Sequence, residues 1–205
     1  MSVLTADGAA ARQQQVNGGP ERIAQLPRAD FPPEAQAICE QVFAALGIDT
    51  PDSLAPYFAI LIKHPGLFQR QMEAGITFFR GAIPMAEREL AILRVAWRAG
   101  APYEWSEHVA IAKGCGWSEA DVERVIAGPE AEGWSDHQRA ILRAVDELHG
   151  DTMISDATWA TLSASWNEAQ LLELPALVGQ YLMVAMIQNS IRLPLGNDPR
   201  GLAAR

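Results

Sequence analysis

The sequence predicts an all-α fold, and three observations carry the prediction. Apolar residues recur at helical spacing along most of the chain. Proline, glycine and Ser or Asn capping signals punctuate those runs at short intervals. Stretches of alternating Val, Ile and Thr, the mark of half-buried strands, are absent.

The elements follow in order. Residues 1–20 are rich in Ala, Gly and Gln without an apolar period, and are expected to be a mobile tail. Residues 21–205 are expected to form a single all-helical domain. Pro32-Pro33 opens a helix to Leu46, with Ala37, Ile38, Gln41, Val42 and Ala45 at three-and-four spacing. Pro51, Pro65 and Pro84 mark further boundaries, giving short helices over 53–63 and 65–80. From Pro84, Leu90, Leu93 and Trp97, flanked by Ile92, Val95 and Ala96, make a broad apolar face on a helix that stops at Gly100. A helix from Pro102 to Lys113 closes at Gly114 or Gly116. Ser118 with Asp121, and Ser135 with Gln138, read as N-caps followed three residues later by a reciprocating side chain; Gly128 and Gly150 read as the stops. "SDATWATLSASW" is another short helix, and Asn167 caps a long last one. "AILR" occurs at 91–94 and again at 140–143; convergence on good helix formers and duplication of a helical unit both account for this echo.

Charge and composition exclude several classes. A formal net charge of -9 with scattered Lys and Arg argues against nucleic acid, whose phosphates need clustered cations. The N-terminus lacks the charged and apolar regions of a secretory signal. The most apolar segment, Leu171 to Ile191, is broken by Glu173, Pro175, Gln180, Gln188 and Asn189 and is expected to be a core helix, not a membrane span. Cys39 and Cys115 form no C-x-x-C and read as free thiols, so the expected location is cytoplasmic. No nucleotide-binding glycine motif occurs. Glu104 and His108 supply only two candidate metal ligands, and His64, His137 and His149 lie in unrelated contexts. No metal and no cofactor are expected.

The chemistry concentrates in "ERELAILRVAWRAGAPYEWSEH". Glu104 and His108, at i and i+4, share a helix face, where a carboxylate can orient an imidazole as a base. The same spacing suits an exposed ion pair worth a few tenths of a kcal/mol, and spacing alone prefers that reading. Glu107 points away from that face and is expected to be solvated. Glu87 and Glu89 suit the first turns of their helix, where carboxylates meet the dipole. The Gly100-Ala101-Pro102 break folds the two helices back on each other, but geometry alone leaves the distance from Glu89 to His108 open.

These residues, with "RELAILRVAW", "YEWSEH", "GWSEADVERV" and more weakly "GQYLMVAMIQNSIRLPL", resemble the carboxymuconolactone decarboxylase / AhpD-like family. The resemblance implies an all-helical homotrimer or hexamer with sites near subunit interfaces. In its peroxidase branch a Glu is followed, after eleven residues, by C-x-x-C-x-x-x-H. That places the Glu at Glu89 and the His at His108, but the two cysteine positions hold Ala101 and Glu104. Disulfide peroxidase chemistry, which needs both thiols, is therefore not expected. The Glu-x-x-x-His pair resembles the decarboxylase branch instead. The resemblance implies a cofactor-independent lyase or isomerase acting on a small organic acid or lactone. His108 would move the proton, Glu104 would orient it, Glu89 would complete a relay, and Tyr103 and Trp105 would line the pocket. The alternative is a noncatalytic helical oligomer, or a redox-associated protein that has lost its thiols.

Overall fold

In the computed structural model, residues 4–46 and 54–205 are described. Among them are ten α-helices and no strand. They are α1 (Ala9–Asn17), α2 (Pro33–Leu46), α3 (Pro56–Leu61), α4 (Pro65–Phe79), α5 (Met85–Ala99), α6 (Pro102–Gly114), α7 (Glu119–Ala127), α8 (Asp136–Asp151), α9 (Asp156–Ser163) and α10 (Glu168–Ile191). The Pro51 boundary and the expected start of a helix at 53 fall outside the described residues, as does the side chain of Ala45.

The punctuation acts as its chemistry dictates. Ser118 with Asp121, Ser135 with Gln138, and Asn167 with Gln170 each form a reciprocal capping box, which satisfies backbone N–H groups that a helix start leaves open. Two expectations change. Gly150 does not stop α8: the helix continues to Asp151 and ends on Thr152, which takes the left-handed conformation (φ 59°). Residues 9–17, expected within a mobile tail, form α1. Val16 of that helix is buried, and Arg12 reaches the carbonyls of Ala99 and Gly100. Tertiary contact thus supplies what the local apolar period does not.

α5 is the central helix. It packs against α8, α10 and α6, and Leu90 to Ala96 are buried on every side, so even Arg94 is inside. Arg94 meets both oxygens of Asp146 on α8, at 2.8 and 2.7 Å, and donates to the Val125 carbonyl at 2.7 Å. A buried guanidinium is tolerated only when its fork is matched in this way. The two "AILR" copies lie on α5 and α8, which pack together. Their Ala, Ile and Leu residues are all buried, while Arg143 is paired with Glu130 near the surface. A second apolar cluster joins α2, α3 and α4 to Tyr103 and to Val184 and Ile191 on α10.

By length and composition α10 is long and apolar enough to cross a membrane, yet it packs against α4, α5, α6, α8 and α9. About a third of its most apolar stretch is buried, and Leu172, Met183 and Met186 stand exposed.

Candidate active site

The site is made at the corner between α5 and α6. Gly100, in the left-handed conformation (φ 56°), ends α5, and Pro102 opens α6 almost at once. The chain reverses, and α6 lies back along α5. That reversal brings His108 against Glu89, with Nδ1 2.7 Å from Oε2. Glu89 is buried and also faces Arg88, whose Nε and Nη2 lie 3.4 Å from Oε1. Arg88 in turn donates through Nη1 to the carbonyls of Phe78 and Phe79 at 3.0 and 3.1 Å, tying the end of α4 to the dyad. Among the described residues nothing bonds His108 Nε2. With Nδ1–H given to the carboxylate, the Nε2 lone pair is left for a substrate.

His108 and Glu104 line one cavity of about 210 Å³, and Glu89 stands behind the imidazole. Tyr57 and Phe58 from α3, Phe78 from α4, Tyr103 from α6, and Gln180, Tyr181 and Gln188 from α10 complete much of the wall. The Tyr181 ring meets His108 edge-on, with centroids 5.1 Å apart. Glu104 is buried and, among the described residues, neither of its oxygens has a partner; burial pushes its carboxyl well above the usual carboxylate range. This environment favours the neutral acid. Burial likewise raises the phenols of Tyr57 and Tyr181, with nearby carboxylates adding to it. Burial, with Glu107 adding, pushes Tyr103 up to about 12.

The expected site residues therefore separate. Glu89, Glu104 and His108 are drawn together, but the orienting carboxylate is Glu89 and not Glu104; the i,i+4 pair makes no hydrogen bond because the imidazole turns to α5. Tyr103 lines the cavity as expected. Trp105 does not: it is fully buried on the opposite side of α6, 5.0 Å from the Trp97 ring, with Nε1 donating to the Ala204 carbonyl. Glu107, expected to be solvated, lines the cavity rim and holds Asn197 through its backbone N–H and its amide. Tyr57, Tyr181 and Gln188 were not anticipated as site residues. The signal for the last two is a polar stripe, Gln180, Tyr181 and Gln188, along one side of an otherwise apolar helix.

The cysteines take no part in this site. Cys39 is buried and its thiol raised by that burial; Cys115 donates to the Ile111 carbonyl at 3.3 Å and is also raised. Among the described residues no group of three or more His, Cys, Asp or Glu is placed to hold a metal ion.

Residues 66–147, from α4 through most of α8, match the Carboxymuconolactone decarboxylase family. Over this segment the chain is similar to that family's domain. The segment includes Glu89, Glu104 and His108, whereas Tyr57 and the α10 part of the wall lie outside it. No curated protein matches the chain in sequence. Solved structures share its AhpD-like helical fold. An alkylhydroperoxidase AhpD core protein, uncharacterized and peroxidase-related, from Ralstonia eutropha JMP134 is 16% identical, with a TM-score of 0.71 over 91% of this chain and 100% of that one. The debrominase Bmp8, as its C82A variant with 2,3,4-tribromopyrrole, is 16% identical, with a TM-score of 0.69 over 88% of this chain and 94% of the other. An uncharacterized peroxidase-related protein from Silicibacter sp. TM1040 is 14% identical, with a TM-score of 0.68 over 90% and 95%. At these identities the likeness is one of fold.

Proposed function

We propose that this protein is an acid–base enzyme that moves a proton at carbon on a small carbonyl compound, an organic acid or lactone, as an isomerase, decarboxylase or related lyase. The observation that carries the reading is the buried Glu89–His108 pair, with its free imidazole nitrogen beside a cavity that also holds a carboxyl favoured in its neutral form. A base nitrogen and a carboxyl favoured as the neutral acid, both lining one cavity, are the two partners that acid–base catalysis requires.

His108 Nε2 takes a proton from the carbon next to the substrate carbonyl, and the imidazolium that forms is stabilised by Glu89. Electron density moves onto the carbonyl oxygen, giving an enolate. Glu104, as the neutral acid, donates a hydrogen bond to that oxygen, and the largely apolar wall strengthens the bond. The imidazolium then returns its proton at the same or a conjugated carbon. In a decarboxylation the enolate arises by loss of CO₂ and His108 delivers the proton. Arg88 is a positioning residue, since it touches Glu89 and the end of α4 but not the cavity.

A homo-oligomer is part of this reading. Phe79 on α4 and Met183 and Met186 on α10 expose apolar surface suited to a second copy of the chain.

The test is solvent exchange. Lactones and cyclic enones incubated with the protein in D₂O are followed by proton NMR for loss of the signal next to the carbonyl. The wild-type protein is expected to catalyse exchange, and His108→Ala to slow it by about 10²–10⁴-fold while leaving the helical circular dichroism intact. Exchange that persists at the wild-type rate in His108→Ala rejects the assignment.

A further inference from the structure

Three residues of the cavity lining carry buried polar atoms without a partner among the described residues. Tyr57 Oη, both oxygens of Glu104 and Gln188 Oε1 are buried and bond to nothing among the described residues. All three residues are at least nine-tenths buried. Buried polar atoms are as a rule satisfied, so several orphans on one wall mark a place where something else supplies the partners. The orphans come from three different helices, α3, α6 and α10, which all line this cavity, and they do not bond one another.

Their chemistry specifies the complement. A neutral Glu104 carboxyl and the Tyr57 phenol both offer O–H donors, which call for an acceptor oxygen. Gln188 Oε1 accepts only, and calls for a donor. Charge then narrows the class. The cavity lining contains no Lys or Arg, while Glu104 and Glu107 both belong to it. The guanidinium beside the dyad, Arg88, is already committed to Glu89 and to two backbone carbonyls. A carboxylate entering here would lose its hydration and find, among the described lining residues, only His108 as a possible cation, already paired with Glu89; a charge buried unpaired is costly. The flat rings of Phe58, Phe78 and Tyr181 suit a planar guest.

We infer that the cavity recognises an uncharged, planar, single-ring molecule carrying a carbonyl and an adjacent hydroxyl, the carbonyl held by Glu104 and Tyr57 and the hydroxyl by Gln188. The inference rests on the reading of this cavity as the substrate site, and it selects the lactone-like over the acidic half of that reading. An uncharged substrate has no carboxylate to lose. The reaction then narrows to isomerisation, in which His108 removes a proton from one carbon and returns it to another.

The test uses two isosteric probes that differ in charge, salicylamide and salicylate, titrated into the wild-type protein by calorimetry at pH 7. Salicylamide is expected to bind at least about tenfold more tightly, a difference of about 1.4 kcal/mol. Tyr57→Phe and Gln188→Met are each expected to weaken salicylamide at least about fivefold, with unchanged circular dichroism and melting temperature serving as the check on folding. Salicylate binding as tightly as salicylamide, no binding of salicylamide at all, or full-strength binding by a folded Tyr57→Phe, Gln188→Met double variant each overturns the inference. His108→Gln separates the two claims. It is expected to keep salicylamide affinity, so loss of exchange catalysis with binding intact bears on the proton transfer alone. Selective binding of salicylamide by a wild-type protein that catalyses no exchange would reject the acid–base reading and leave the recognition site standing.

Discussion

Replacing Glu104 by Gln changes how stability depends on pH, in a direction set by its surroundings. The carboxyl is buried, has no hydrogen-bond partner and is held well above the usual carboxylate range by desolvation. The folded protein therefore keeps this proton more tightly than the unfolded chain, in which the group titrates near about 4.3. Stability contributed by the neutral form is complete below that value and is lost as pH rises toward the raised folded value. Within that window a single group costs up to about 1.4 kcal/mol per pH unit. For a chain of 205 residues, 1 kcal/mol corresponds to about 2–4 °C in Tm. The melting temperature of Glu104→Gln minus that of wild type should accordingly rise by about 3–6 °C per pH unit above about pH 5. Every other titrating group cancels in this difference. Calorimetric scans of both proteins at half-unit intervals from pH 4.5 to 8 measure it directly. A difference that stays flat across that range would show that Glu104 is ionised or partnered in the folded state, and the neutral-acid role would fall with it.

Other substitutions probe the rest of the design. Glu89→Gln keeps the shape but removes the charge that steadies the imidazolium, and is expected to lower exchange catalysis by about 10²–10⁴-fold with little change in substrate affinity, as read by separate kcat and KM values. Asp146→Ala strands the buried Arg94 guanidinium; a loss of about 3 kcal/mol, or about 6–12 °C in Tm, is expected, and under 1 kcal/mol would mean that the pair behaves as a surface contact. Met186→Glu places a charge on the exposed apolar side of α10 and should shift the protein toward monomer in light-scattering chromatography. Ser135→Ala removes the cap of α8 and should cost about 1 kcal/mol in urea unfolding.

What could be read from the chain depended on how far apart its determinants lie. Ser118, Ser135 and Asn167 cap their helices through residues three positions away, and such local chemistry is complete in the sequence. Glu89 and His108 are nineteen residues apart and meet only through the angle of one corner, which spacing cannot supply. Glu104 makes no hydrogen bond to His108, because i,i+4 geometry permits contact without requiring it. The family resemblance puts Trp105 in the pocket, and α6, with polar and apolar residues on all sides, has no pattern that names an inner face to correct it. Tyr57 and Gln188 enter from α3 and α10, so their convergence on Glu104 is a property of packing. The N-terminal segment lacks an apolar stripe and so has the sequence of a tail, yet Arg12 fastens it through polar contacts.

Those contacts give the corner an unusual sensitivity. The carbonyls of Ala99 and Gly100, left open by the end of α5, are met by Arg12 from α1 and by Asn189 from α10, so one turn of backbone is clasped by segments from both ends of the chain. A side chain at position 100 would press on the Arg12 guanidinium as well as strain a left-handed backbone. One residue inserted between Gly100 and Pro102 would rotate α6 by about 100° against α5 and carry His108 away from Glu89. The length of this corner is therefore under the same constraint as the acid and the base themselves. Binding events at α1, which does not line the cavity, have a mechanical route to the imidazole.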